Sequence, residues 1–146
     1  MYSQDRDQLR RVYCSVFAKM HDDAAMEPME QAIARVIGMH PEYHRLLASP
    51  ETAIGADYLP EMGESNPFLH MGLHLALHEQ LATDRPAGIR TAYQTLISVR
   101  DVHDAEHAIS ECLATVLWEA QRDHREPDEA AYLRCIRVLA GLESDG

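Results

Sequence analysis

Residues 66–82 read NPFLHMGLHLALHEQLA, and this stretch decides the fold class. Ser65 and Asn66 precede Pro67, an order that is typical of a helix start with a polar cap and proline in the first turn. From residue 67 to residue 77, every residue apart from two histidines is apolar or glycine. A helix that is apolar on all sides is expected to be buried, so the stretch predicts a central helix.

Helical periodicity also dominates on both sides of this stretch, and strand patterning is nearly absent. Glycines and prolines fall between the periodic segments. The predicted helices cover residues 4–20, 28–37, 41–47, 67–82, 86–99, 102–122 and 127–141, the third of them short. We therefore predict an all-α, single-domain bundle of about five to six helices over residues 1–146.

Residues 49–66 contain two glycines and two prolines and have no clear period. They are predicted to form a long loop. Long loops in compact domains are often functional, and an inert connection is the alternative that the sequence leaves open.

Charge excludes two classes of partner. The chain has 24 acidic and 13 basic residues among its 146, and its formal net charge is -11. Binding to nucleic acid needs a basic face that replaces phosphate counterions, and anionic lipid also attracts basic segments. We expect neither nucleic acid nor a membrane as a partner.

The compartment is predicted from two absences in the sequence. The first eleven residues are polar and charged, without the apolar core of a signal peptide. Cys14, Cys112 and Cys135 are odd in number and far apart, with no Cys-x-x-Cys pair. The sequence therefore predicts a cytoplasmic protein whose cysteines are reduced and act as small core residues.

Histidine is the unusual residue, with nine copies against two phenylalanines and one tryptophan. Four histidine pairs are spaced four residues apart, where chance would give about 0.5. These pairs are His40/His44, His70/His74, His74/His78 and His103/His107. Residues four apart share one face of a helix, and helical metal sites present two imidazole ligands in this way.

The helix predicted at 67–82 carries His70, His74 and His78 on one stripe. The three positions drift by about 40° per step and span about 12 Å along the axis, so one ion does not readily bind all three. Either two neighbouring ions share the three histidines, or one histidine lies outside the coordination shell and hydrogen-bonds to a ligand. The alternative is three core histidines that are hydrogen-bonded to backbone or carboxylate groups.

The helix predicted at 102–122 offers a second set of ligands, with His103, His107 and Glu111 in line. Glu106 borders the apolar stripe on another side of the helix. If both sides are buried, the histidine line faces the interior. If only the apolar stripe is buried, Glu106 is the inward acid and the two histidines lie at the surface.

Residues 40–44, HPEYH, provide the third element. His44, and with it His40, is predicted to complete a site between helices, whereas exposed imidazoles at a helix start are the alternative. Together the three elements predict a protein that binds a divalent transition metal (Zn, Fe or Mn) between the helices at 67–82 and 102–122. The alternative function is a non-enzymatic helical interaction module, as a homodimer or other homo-oligomer, with structural histidines.

The segments HPEYHRLL, GESNPFLHMGLHLALHEQLATDRPAGIR, AEH…ECL…LWEAQ and PDEAAYL resemble a family of small bacterial proteins known as domain of unknown function 1841. The resemblance covers about residues 8–140. It implies a bacterial, single-domain protein, and it brings no activity or site residues with it. Whether the protein is an enzyme is left open.

Overall fold

The structure, a computed structural model, describes residues 2–56 and 66–144, and the regular structure in these two ranges is entirely helical. They contain eight α-helices, at Tyr2–Asp22 (α1), Pro28–Gly38 (α2), His44–Leu47 (α3), Pro50–Gly55 (α4), Pro67–Thr83 (α5), Ile89–Val99 (α6), Val102–Arg122 (α7) and Glu129–Leu139 (α8). A 3₁₀ turn, Pro41–Tyr43, leads into α3. The predicted all-α class is confirmed, and the predicted number of helices is too small.

The additional helix α4 lies in the segment that the sequence predicts as a loop. A residue distant in sequence caps its last turn. The Arg10 guanidinium of α1 donates to the carbonyls of Ala53, Ile54 and Ala56 at 3.1, 3.1 and 2.6 Å. A six-residue helix is marginal without such a tertiary contact. Residues 57–65, which include the predicted cap Ser65 and the rest of the predicted loop, lie outside the described residues.

The chain forms two compact units, Met1–Leu75 and Ala76–Gly146, and the division falls within α5. The single domain expected over residues 1–146 stays a prediction.

The first unit contains α1 to α4 and the start of α5, packed around one apolar core. The period of α1 brings Tyr13, Val16 and Phe17 to its buried face. The core also contains Ile33, Val36, Ile37, Leu47, Ala53, Phe68 and Met71. Not all of α5 is buried as predicted, since Leu69 is 62% exposed.

The second unit contains the end of α5 and helices α6 to α8, and its helix starts follow the sequence signals. Asp101 accepts hydrogen bonds from the amides of His103 and Asp104 at the start of α7, and Asp128 accepts one from Ala131 in α8. The buried apolar residues of this unit are Leu77, Ile89, Ala92, Leu96, Ala105, Ile109, Leu113, Val116, Ala120, Tyr132 and Ile136.

The prediction of reduced cysteines is wrong for two of the three. Cys112 of α7 and Cys135 of α8 form a disulfide, whereas Cys14 is free and buried. Spacing along the chain did not reveal the pair because the two sulfurs meet only when α8 packs on α7.

Candidate metal centre

Helix α5 presents His70 and His74 one turn apart on the same side. Their Nε2 atoms are 3.2 Å apart, and their ring centroids are 4.8 Å apart. His74 is fully buried and His70 is partly exposed. This confirms the spacing argument for these two histidines, since the four-residue repeat brings their ring nitrogens together.

His40 joins them from the end of α2. Its ring centroid lies 4.9 Å from that of His70 and 4.6 Å from that of His74, and its side chain is fully buried. His40 Nδ1 donates to the Val36 carbonyl at 2.8 Å. Because a carbonyl only accepts, the proton of a neutral His40 is on Nδ1, and Nε2 carries the lone pair that a metal requires.

Three imidazoles of the first unit therefore form one cluster, which we call the histidine cluster: His40, His70 and His74. Each contributes a ring nitrogen, and these nitrogens lie within 4.8 Å of one another. Two nitrogens bound to one tetrahedral zinc ion are about 3.3 Å apart, given Zn–N bonds of about 2.0–2.1 Å. The distance of 3.2 Å between the Nε2 atoms of His70 and His74 already matches this value.

Tyr43 packs against the cluster from the 3₁₀ turn. Its ring stacks on His40 with centroids 5.5 Å apart and an interplanar angle of 8°, and it meets the edge of His70 at 6.2 Å. Burial, and then the nearby Glu42 carboxylate, raise the pKa of the Tyr43 hydroxyl. The tyrosine thus stays neutral and fixes the plane of the His40 ring.

The structure does not bring His44 into this cluster. Its Nε2 donates to the Ile37 carbonyl at 2.8 Å, and its ring lies 5.1 Å from that of Phe17. His44 therefore anchors the start of α3 on α1 and α2.

In the second unit, Glu106 and His78 form a hydrogen-bonded pair, as in the alternative of core histidines bonded to carboxylate groups. Glu106 is 2% exposed. It accepts from His78 Nε2 at 2.9 Å and from the Tyr93 hydroxyl at 2.7 Å. Burial and the Glu106 carboxylate both raise the pKa of Tyr93 above its ordinary value. One carboxylate thus connects α5, α6 and α7.

Tyr93 is the member of this network that sequence reasoning missed. It lies four residues after Ile89 and three before Leu96, both buried, so the period of α6 was the signal that places it on the inner face.

His103, His107 and Glu111 follow each other along α7, as predicted. The rings of His103 and His107 are 4.3 Å apart and both are partly exposed, whereas Glu111 is exposed. Trp118, further along the same side, is 60% exposed. Glu106 is thus the inward acid of α7, as one of the two readings has it, whereas His103 and His107 are neither fully buried nor fully exposed.

Comparison with known proteins identifies the family of the chain but no activity. A family model described as "Domain of unknown function (DUF1841)" matches residues 5–138. No curated protein and no solved structure matches the chain. Among the described residues, no helix has the length and apolar character needed to cross a membrane.

Proposed function

The chain belongs to the DUF1841 family, and we propose that it is a metal-binding protein whose centre is the histidine cluster. The observation that carries the proposal is the convergence of three ring nitrogens within 4.8 Å of one another. Most side-chain hydrogen bonds in proteins go to backbone groups or water and not to other side chains. Here His70 and His74 face each other instead, at 3.2 Å.

The donor set favours zinc or iron over manganese among the predicted metals. Imidazole nitrogen suits Zn, Cu, Fe and Ni, whereas Mn prefers carboxylate and carbonyl oxygens. The buried carboxylate of Glu106 already accepts from His78 and Tyr93. An imidazole site without a carboxylate is therefore expected to select Zn or Fe over Mn.

The His40 backbone contact supports the same proposal. Metal-binding histidines usually donate the second ring N–H to a carbonyl or carboxylate, which fixes the tautomer and the ring orientation. The 2.8 Å bond from His40 Nδ1 to the Val36 carbonyl has this form.

Three protein ligands leave at least one coordination position for a fourth group. We propose a water molecule for this position. The proposed centre does not include His44, His78, His103, Glu106 or Glu111.

Elemental analysis of untagged protein, purified without chelator, tests the proposal. We expect about one metal ion per chain. After removal of the metal, adding back Zn should raise the melting temperature, because a ligand that binds only the native state stabilises it. Less than about 0.2 metal per chain, together with no thermal shift for Zn, Fe, Mn, Ni or Co, would contradict metal binding.

A further inference from the structure

The disulfide between Cys112 and Cys135 crosses from α7 to α8, over a sequence separation of 23 residues. The third cysteine, Cys14, is buried in the core of the first unit. Burial raises the pKa of the Cys14 thiol, which makes it a poor nucleophile. Exchange with the disulfide therefore has to begin with a thiol from outside the chain.

The two sulfur-bearing residues differ in exposure. Cys112 is only 4% exposed, whereas Cys135 is partly exposed. Cys135 also lines two hollows of the second unit. One is formed with Ala131, Arg134, Val138 and Leu139; the other includes Cys112 and is formed with Ala108, Ala131 and further residues of α7 and α8. A small thiol thus reaches Cys135 in preference to Cys112.

Ala131 keeps this approach open. It lies four residues before Cys135 on α8, so the two side chains are neighbours on one helix face. Ala131 lines both hollows and is exposed. A longer side chain at this position would extend over the Cys135 sulfur.

We propose that Cys112–Cys135 is a reversible site of thiol–disulfide exchange, which reacts at Cys135 with low-molecular-weight thiols of the glutathione class. The thiolate of the small thiol attacks Cys135 Sγ and forms a new S–S bond. The bond to Cys112 breaks, and Cys112 leaves with the electron pair and takes a proton from water. A second small thiolate attacks the mixed disulfide, which releases Cys135 as a thiol and the small molecule as its disulfide. Oxidised glutathione drives the same steps in reverse.

The redox state of the disulfide controls how firmly α8 is held against α7. Apart from the disulfide, α8 contributes two buried side chains, Tyr132 and Ile136, and a hydrogen bond from the Tyr132 hydroxyl to Gln80 at 2.6 Å. Thiol–disulfide exchange depends on access to the attacked sulfur, and here only Cys135 is partly exposed. Reduction should therefore speed amide hydrogen exchange in α8 and leave α1 and α2 unchanged.

The test equilibrates the folded Cys14→Ala protein with mixtures of reduced and oxidised glutathione, followed by acid quench, alkylation and peptide mass spectrometry. We expect a two-electron transition from disulfide to dithiol, with the trapped mixed disulfide on Cys135. Mixed disulfide on Cys112 would overturn the proposal. So would a disulfide that resists millimolar reduced glutathione in the folded protein but is reduced under the same conditions in urea.

Two variants in which leucine replaces an alanine of α8 separate access to the Cys135 sulfur from the stability of the helix. Ala131→Leu should slow reduction by reduced glutathione about tenfold, since exchange rates depend on access to the attacked sulfur. Ala130→Leu, at an exposed neighbouring position that lines neither hollow, should leave the rate unchanged. Equal rates for the two variants would show that Cys135 is not the point of attack.

Discussion

The Nε2 atoms of His70 and His74 lie 3.2 Å apart on one side of α5. At this distance two nitrogen lone pairs repel each other, so a proton or a metal ion must lie between them. A proton allows one ring to donate to the other, and a metal ion allows both rings, together with His40, to act as ligands. The proposed centre therefore depends on a competition between protons and metal for the same nitrogens.

Replacing His74 tests the centre directly. His74→Ala should lower metal affinity by at least about 100-fold, beyond the 10- to 100-fold typical of residues that only support a ligand. The helical circular-dichroism signal should be kept. Isothermal titration with zinc provides the measurement.

His21→Ala is the matched control for this variant. His21 is likewise a helical histidine, with Nδ1 3.4 Å from the Phe17 carbonyl of its own helix, but it is exposed. It should bind zinc like the wild type. If His74→Ala also does so, α5 does not provide the site.

Metal affinity should rise with pH. Imidazole binds metal only in its neutral form, and its ordinary pKa is about 6.5. Well below that pH, three histidine ligands release up to three protons per ion, so affinity should change by up to about 1,000-fold per pH unit. Competition with a chromophoric chelator between about pH 5 and pH 8 measures the slope. An affinity that does not depend on pH in this range would exclude a three-histidine centre.

Glu106→Gln should weaken the second unit, because His78 and Tyr93 lose their shared carboxylate. We expect the free energy of unfolding to fall by about 1–3 kcal/mol, the usual cost of an impaired buried hydrogen bond. Denaturation in urea, followed by Trp118 fluorescence, measures this loss. Glu111→Gln, at an exposed position of the same helix, should stay within about 0.5 kcal/mol of the wild type.

The same variant changes the titration of Tyr93. In the wild type, burial and Glu106 raise the Tyr93 pKa, so the folded state holds the phenolic proton more tightly than the unfolded state does. The resulting stability is fully present below the ordinary tyrosine pKa of about 10 and is lost as pH rises through the folded value. Glu106→Gln should lower the Tyr93 pKa, measured as the absorbance difference from Tyr93→Phe. An unchanged pKa would contradict the hydrogen bond.

Arg10→Met should destabilise the first unit. The side chain is 2% exposed, and its guanidinium donates to three carbonyls at the end of α4 and lies 5.0 Å from the Phe68 ring centroid. Hydrogen bonds from a charged group are worth about 1.5–3 kcal/mol, and we expect a loss of that size with faster amide exchange in α4. Arg11→Met, at an exposed position, serves as the control. If both variants are equally stable, Arg10 does not cap α4.

The sequence by itself determined the helical class, the long helices and the pairing of His70 with His74. These are local properties. A period of 3.6 residues follows from which residues are apolar, caps follow from side chains within one turn, and a four-residue spacing brings two rings together on any helix.

Only the tertiary structure decided which further groups meet. His40 joins His70 and His74 while His44, four residues later, bonds to the Ile37 carbonyl. The same holds for α4, which is capped from α1, and for the Cys112–Cys135 pair. These contacts depend on how helices distant in sequence pack together, and the sequence of one helix does not contain that information.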